Sequence, residues 1–180
     1  MIIGITGTIG AGKGTVVEYL KKKGFTHYSA RDVWNEEIDR RGLPRNRDNM
    51  VRVANDLRAQ RGPEFFAKRA MEKAQASGHD AVVESIRSVG EAEEIKKDGG
   101  VLWAVDADVE KRYERAVLRG SETDQVSFQK FKADEEVEWH NTDPHKQNLK
   151  AVIAMADVTL TNNDTQEELF AQVEEALKRT

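Results

Sequence analysis

Gly7-Thr8-Ile9-Gly10-Ala11-Gly12-Lys13-Gly14-Thr15 is the stretch that decides the fold, because it joins the apolar run Met1–Thr6 to a helical pattern. Glycines let the backbone curl so that successive N–H groups point at one anion, and the positive end of the following helix acts at the same place. Lys13 adds a full positive charge for the β- and γ-phosphate oxygens. A glycine-rich turn that occurs by chance would not be expected to have a strand directly before it and a helix directly after it. The stretch therefore predicts a triphosphate-binding loop.

Short apolar runs alternate with helical patterns along the rest of the chain, which indicates a parallel sheet covered on both faces. The predicted strands are Met1–Thr6, Phe25–Ser29, Ala81–Glu84, Val101–Val105 and Val158–Thr161. The predicted helices are Lys13–Lys23, Asp32–Arg41, one capped by Asp48, Glu64–Ser77, two beginning near Val89 and Val109, Thr123–Trp139, Pro144–Ala156 and Thr165–Lys178. We expect an α/β chain with the three-layer αβα P-loop NTP hydrolase fold and a five-stranded parallel sheet. Residues 30–77 exceed an ordinary crossover helix and predict a helical insertion.

Composition narrows the function classes. The 180 residues are 38% hydrophobic and 33% charged, which suits one soluble domain. The net charge of −4 argues against a nucleic-acid partner, and no apolar run approaches the roughly 20 residues that span a bilayer. The absence of cysteine excludes disulfides and thiolate metal sites. The N-terminus has no signal-peptide pattern, so we expect a cytoplasmic protein, a monomer or small homo-oligomer, with small nucleotide substrates.

The phosphate loop departs from the standard motif in a way that points to one family. Gly14 follows Lys13, where a standard P-loop carries Ser or Thr on magnesium, and the hydroxyl comes one place later at Thr15. The loop thereby resembles that of adenylate kinase and related nucleoside monophosphate kinases. The resemblance implies ATP and Mg²⁺ as cofactors, with Thr15 and an acid on a neighbouring strand organising the metal. The donor-binding residues would be Gly7, Thr8, Gly10, Ala11, Gly12, Lys13, Gly14 and Thr15.

Two further segments carry the resemblance. Ser29 and Asp32, in His27-Tyr28-Ser29-Ala30-Arg31-Asp32, match the family's segment beside the acceptor nucleotide. Glu84-Ser85-Ile86-Arg87 matches the family's acid and arginine at the end of the third strand. Glu84 would hold magnesium through water, and Arg87 would bridge the acceptor phosphate and the transferred group. Asp32 or Glu84 could instead cap a helix, and Arg87 could be a surface arginine.

The last part of the resemblance lies further along the chain. Arg115 and Arg119, four residues apart, are similar to the family's entry into a lid, which would be short here, at residues 119–126. Arg119 would neutralise the transferred group and Arg115 would contact the donor. The plainer alternative for both is an exposed, charge-rich helix face. Asn162 and Asn163, after the last strand, resemble the adenine-bordering loop of dephospho-coenzyme A kinase. The whole then divides into a core of 1–29, 78–118 and 127–180, an acceptor-binding insertion of 30–77, and the lid.

Two departures limit the resemblance, which is also shared with uncharacterised microbial kinase-like proteins. Asn35 stands where nucleoside monophosphate kinases place an arginine, for which Arg31, Arg40 or Arg41 could substitute. The His-Pro segment of dephospho-coenzyme A kinases is absent.

The sequence favours a kinase that transfers the γ-phosphate of ATP to a small nucleotide. A nucleoside or deoxynucleoside monophosphate is the leading acceptor and dephospho-coenzyme A the second. A nucleotide-dependent switch without an acceptor is the alternative of another class, but no Asp-x-x-Gly follows a predicted strand. A nucleic-acid kinase is a third possibility.

Overall fold

A computed structural model describes residues 1–120 and 125–180. Its five strands all pair in parallel, in the order β2-β3-β1-β4-β5. They are β1 (Ile2–Gly7), β2 (Thr26–Ser29), β3 (Ala81–Glu84), β4 (Val101–Asp106) and β5 (Val158–Thr161). The predicted fold class is confirmed, and every predicted strand is present. The carboxyl ends of β1 and β3 are neighbours, and ligands of open parallel sheets bind at that edge.

Nine helices connect and cover the strands in the described ranges. They are α1 (Lys13–Lys22), α2 (Ala30–Arg40), α3 (Arg47–Arg61), α4 (Phe65–Ser77), α5 (Val89–Lys97), α6 (Val109–Arg119), α7 (Phe128–Trp139), α8 (Leu149–Ala154) and α9 (Gln166–Arg179). Over residues 1–120 and 125–180, none of them has the length and apolar character that a membrane span requires.

The sheet is covered by a helical layer on each face. Ile3, Ile5 and Trp103 project toward α1 and α9, where Leu20 and Val173 are buried with them. On the opposite face, α4, α5 and α8 pack around a second cluster, which contains Met71, Val83, Ile95, Leu102 and Val152. Because successive side chains of a strand alternate between faces, apolar residues at consecutive positions supply both clusters.

Helices α2 and α3 form a separate apolar cluster with the first turn of α4. Trp34 and Ile38 of α2 pack with Val53 and Ala54 of α3, and Phe66 of α4 meets Trp34 edge to face with ring centroids 5.3 Å apart. We keep the name helical insertion for residues 30–77, which contain α2, α3 and α4. The division of the chain into core, insertion and lid stays a prediction, and residues 121–124 of the proposed lid lie outside the described residues.

Several helix starts differ from the sequence expectation because another side chain forms the cap. Asn46, rather than Asp48, caps α3 by accepting a hydrogen bond from Asn49 N at 2.9 Å. Ser127 caps α7, which begins at Phe128. Asn148 caps α8, which begins at Leu149 rather than Pro144. Side-chain oxygens of Ser and Asn satisfy the leading N–H groups, and several such residues within a few positions make the start ambiguous in sequence.

Candidate active site at the carboxyl ends of β1 and β3

The loop between β1 and α1 is shaped by glycines in the left-handed region. Gly10 has φ +74° and Gly12 has φ +100°. A Cβ atom on Gly10 would stand 2.2 Å from Arg112 O, and one on Gly12 would stand 2.2 Å from Asn162 Nδ2. Both the backbone angle and the close neighbours therefore require glycine. The loop ends at the N-terminus of α1, whose leading N–H groups are available to an anion.

Three side chains brace this loop from behind. Asn162 Nδ2 donates to Ala11 O at 2.8 Å, and Thr8 Oγ1 donates to Asp106 Oδ1 at 2.7 Å. The buried Arg112 donates from Nη1 to Ile9 O at 3.3 Å and from Nη2 to Glu135 Oε1 at 3.0 Å. The loop is thus held in shape by β4, α6, α7 and the segment after β5.

Lys13 folds back over the loop that precedes it. Its Nζ donates to Thr8 O at 2.6 Å and to Gly7 O at 3.0 Å. Desolvation and the nearby positive charge of Arg87 lower the pKa of Lys13 to about 7, although the carboxylate of Glu84 acts in the opposite direction. An ammonium group with a lowered pKa among other cations gains stability from an anionic ligand.

The end of β3 places an acid and an arginine beside Lys13. His27 Nε2 lies 3.5 Å from Glu84 Oε2. Burial alone would raise the pKa of Glu84, but His27 and the charge of Lys13 outweigh it, so this pKa lies below its ordinary value. Glu84 is therefore an anion at neutral pH. The next residue, Ser85, is buried with φ +76°, a strained conformation of the kind that clusters at functional sites.

A cleft of about 700 Å³, measured with its open mouth, joins the phosphate loop to the helical insertion. Among the described residues that line it, five side chains are cationic and two are carboxylates, a formal surplus of three positive charges. The cations are Lys13, Arg31, Arg47, Arg87 and Arg119, and the carboxylates are Glu84 and Glu138.

Glu138 of α7 is 2% exposed and bridges the two sides of the cleft. Its Oε2 accepts a hydrogen bond from Arg87 Nη1, and its Oε1 accepts one from Arg47 Nη2. One buried carboxylate thereby joins the insertion to the residue after β3.

A second carboxylate, deeper in the protein, also connects α3 to Arg87. Glu91 and Arg58 are both fully buried, and Arg58 Nε donates to Glu91 Oε1 at 2.9 Å. Glu91 Oε2 accepts from the backbone N–H of Arg87 at 2.7 Å. Arg87 is therefore fixed at its side chain through Glu138 and at its backbone through Glu91, and each carboxylate is also held by an arginine of α3.

The predicted acceptor residues do not all lie in this cleft. Ser29 caps α2 by accepting from Arg31 N, and the exposed Asp32 lines a different groove with His27 and Lys73. Arg31, one helical turn before Trp34, lines the cleft together with it. Asp32 thus lies away from the phosphate loop, whereas Arg31 lies on the same wall as Trp34.

The structure also separates the arginines offered as substitutes at the position of Asn35. Arg40 Nη2 pairs with Glu37 Oε1 at 2.6 Å, and Arg41 Nη1 pairs with Asp56 Oδ2 at 2.7 Å. Neither of them lines the cleft. Arg31 does, as does Arg47, which the sequence analysis did not consider.

Of the residues predicted to contact ATP or the transferred phosphate further along the chain, some line the cleft and others do not. Arg119 lines the cleft, whereas Arg115 does not. Asn163 ties its own segment to the start of α6, since its Oδ1 accepts from Asp108 N at 2.8 Å. Contact of Arg115, Asn162 or Asn163 with a nucleotide stays a prediction.

Magnesium fits the residues present. Thr15 in the first turn of α1 offers a hydroxyl, and the ionised Glu84 offers a carboxylate on the neighbouring strand end. Such hard oxygen donors are the ligands that Mg²⁺ prefers, in partnership with water and substrate phosphates. Among the described residues, no group of three or more His, Asp or Glu residues forms an all-protein cage.

Three cleft residues were missed by sequence reasoning. Arg47, Glu138 and Gln147 line the cleft but come from α3, α7 and the segment after α7. They are far from any glycine motif, and their residue types are common on exposed helices. Glu138 and Gln147 are buried and Arg47 is partly buried, and this loss of contact with water appears only once the chain is folded.

Comparison with known proteins shows the family of the chain. A family model described as AAA domain (AAA_18) matches residues 3–140. A UPF0200 protein of Thermococcus kodakarensis is 32% identical over 180 residues, covering 96% of this chain and 94% of the relative. One of Thermococcus sibiricus is 33% identical over 186 residues, covering 99% and 95%. The chain belongs to the AAA_18 and UPF0200 families. The predicted place among P-loop kinase-like proteins is confirmed.

Several solved structures are similar in fold to this member of the UPF0200 family. TT1252 from Thermus thermophilus superposes with a TM-score of 0.67 at 20% identity, over 99% of this chain and 97% of that one. Shikimate kinase from Aquifex aeolicus gives 0.54 at 17% identity, over 99% and 96%. Dephospho-CoA kinase from Campylobacter jejuni gives 0.53 at 14% identity, over 99% and 94%. The fold is therefore shared with P-loop kinases.

Proposed function

We propose that this protein is an ATP-dependent phosphotransferase that moves the γ-phosphate of ATP to a small nucleotide acceptor. A nucleoside or deoxynucleoside monophosphate is the leading candidate. One observation carries the proposal. Lys13 of the phosphate loop lines the same cleft as Arg87 and as Arg31 and Arg47 of the insertion. A cleft with cations on both walls suits two anionic substrates placed end to end.

The chain's own residues supply positioning and charge, which are the main requirements of phosphoryl transfer. The loop amides and Lys13 hold the donor phosphates. Arg87 and Arg119 neutralise charge on the group in transfer, because cations held in place cost little reorganisation during the reaction. Mg²⁺, when bound by Thr15 and through water by Glu84, would withdraw charge from the phosphate oxygens.

The position of Asp32 favours a phosphate as the acceptor group. A hydroxyl acceptor needs a base to take its proton, and Asp32 was the candidate for that role. Asp32 is exposed and lines another groove. Of the two cleft carboxylates, Glu138 is held by two arginines, and Glu84 lies beside His27 and is assigned here to magnesium. A phosphate oxygen is already ionised and needs no base. The surplus positive charge of the cleft also favours an anionic phosphate as the acceptor group.

Dephospho-coenzyme A is the second candidate acceptor. Its support is the fold shared with a dephospho-CoA kinase and the resemblance of the segment around Asn162 and Asn163. This acceptor offers a hydroxyl, and both carboxylates of the described cleft already have other roles, which argues against it.

The experiment that tests the proposal measures ADP formation from ATP over a panel of nucleoside monophosphates, deoxynucleoside monophosphates and dephospho-coenzyme A. We expect one nucleotide to stimulate turnover, and Lys13→Ala to abolish it. Lys22→Ala changes an exposed lysine of the same helix and is the matched control, with turnover unchanged. Slow hydrolysis that no acceptor stimulates would favour a nucleotide switch, and full turnover by Lys13→Ala would reject the loop's role.

A further inference from the structure

Gln147 presents a buried oxygen that has no hydrogen-bond partner within the structure. The residue lies between α7 and α8, lines the cleft, and is 5% exposed. Its Oε1 is buried and finds no donor among the described residues. A buried side-chain carbonyl is nearly always hydrogen-bonded in a folded protein, so an unpaired one needs an explanation.

The backbone around Gln147 is held next to Arg87. Asn148 N donates to Arg87 O at 2.9 Å, and Asn148 Nδ2 donates to Asn141 O at 2.7 Å. These bonds fix the backbone next to Gln147 on the same wall of the cleft as Arg87. Packing of this kind positions a side chain for a ligand.

The charged neighbours of Gln147 in the cleft leave its oxygen without a donor. Arg87 Nη1 and Arg47 Nη2 both donate to Glu138, a carboxylate that binds guanidinium groups more strongly than a neutral amide oxygen does. Residues 1–120 and 125–180 supply no donor to Gln147, and a molecule in the cleft can supply one.

We propose that Gln147 is a specificity-determining residue that accepts a hydrogen bond from a hydroxyl or amino group of the acceptor. The proposal rests on the proposed function, which places the acceptor between Arg87 and the insertion. It adds that the acceptor carries an uncharged donor within reach of the anionic group bound at Arg87. A site built around a buried acceptor oxygen discriminates strongly against an analogue that lacks the donor, because the oxygen is then left unpaired.

The first test needs no ligand and compares two glutamines by thermal unfolding of the unliganded protein. Gln147→Met replaces an unpaired carbonyl with an apolar group of similar shape, so we expect the melting temperature to rise or stay the same. Gln172→Met is the matched control, because Gln172 binds Thr161 N at 2.9 Å and Thr161 O at 2.8 Å, and its loss should lower the melting temperature. A decrease for Gln147→Met as large as that of the control would overturn the proposal.

The second test uses the nucleotide that best stimulates ADP formation, together with its 2′-deoxy, 3′-deoxy and deaminated analogues. We expect the wild-type protein to lose at least tenfold in kcat/KM with one analogue. Gln147→Met should lose that discrimination while the KM for ATP is unchanged. Equal discrimination in wild type and Gln147→Met would overturn the proposal.

The two proposals fail in different ways. If no nucleotide of the panel stimulates turnover, the proposed function fails and the acceptor role of Gln147 fails with it, whatever the melting temperatures. If a nucleotide is phosphorylated but Gln147→Met keeps the discrimination, the proposed function stands and only the role of Gln147 fails.

Discussion

Arg87 and Glu138 form a partly buried ion pair in the lining of the cleft, with Arg87 Nη1 donating to Glu138 Oε2. The other oxygen of the same carboxylate accepts from Arg47 of the helical insertion. Glu138 is therefore the internal counter-ion of two arginines that would otherwise face each other across the cleft. An anionic ligand would compete with Glu138 for both of them.

Glu138→Gln removes this counter-ion and should destabilise the unliganded protein by on the order of 3 kcal/mol, because two partly buried arginines lose the charge of the buried carboxylate that compensates them. Added inorganic phosphate should restore much of the loss by occupying the arginines. Urea unfolding with and without phosphate measures both effects. Glu136→Gln, at an exposed position of α7, should change neither quantity. A Glu138→Gln protein as stable as wild type would show that the bridge contributes nothing.

Glu84→Gln should raise the Mg²⁺ concentration needed for half-maximal turnover, because the ionised carboxylate at the end of β3 is replaced by a neutral amide. We expect turnover at saturating ATP to fall about 10-fold to 100-fold, the range for loss of a partner that orients a metal. Magnesium titrations of ADP formation provide the measurement. Glu18→Gln, an exposed acid of α1, serves as control, and an unaltered magnesium curve for Glu84→Gln would remove Glu84 from the metal site.

Arg58→Met should lower the free energy of unfolding by about 3–5 kcal/mol, because it leaves the fully buried Glu91 carboxylate without its arginine. Chemical denaturation of the unliganded protein measures this. Arg61→Met, on an exposed position of the same helix, should stay within about 0.5 kcal/mol of wild type. The double variant Arg58→Met/Glu91→Gln should recover part of the loss, and no recovery would show that the pair is not coupled.

Lys13 should make the unliganded protein more stable as pH rises from about 7 toward 10.5, the window between its lowered pKa and its ordinary value. In that window the unfolded chain holds a proton that the native protein has released, so stability rises by up to about 1.4 kcal/mol per pH unit. Below about pH 7 both states are protonated and this slope vanishes. Urea unfolding between pH 6 and 9 should show a steeper rise for wild type than for Lys13→Met. Lys22→Met should follow wild type, and parallel curves for all three would contradict the lowered pKa.

Local sequence predicted the elements of this fold well. The strands are short apolar runs bounded by glycine or polar residues, and such runs have few alternatives in a βα chain. Helix starts were less certain because several residues can cap a helix, as the choice of Asn46 over Asp48 shows. Lys13 was found through its glycine loop, and Glu84 and Arg87 through the resemblance of Glu84-Ser85-Ile86-Arg87 to a known family. Parallel topology brings these segments to one edge of the sheet.

The sequence by itself determined the phosphate loop, because its glycines, Lys13 and Thr15 act through backbone angles and spacing within one short segment. Tertiary structure alone decided the other wall of the cleft. Arg47, Glu138 and Gln147 come from separate helices and loops, and their roles depend on burial and on partners distant in the chain. The sequence does not distinguish a charged or amide side chain that is solvated from one that is buried. Only packing in the folded protein removes its water, and this removal gives the side chain its role in the site.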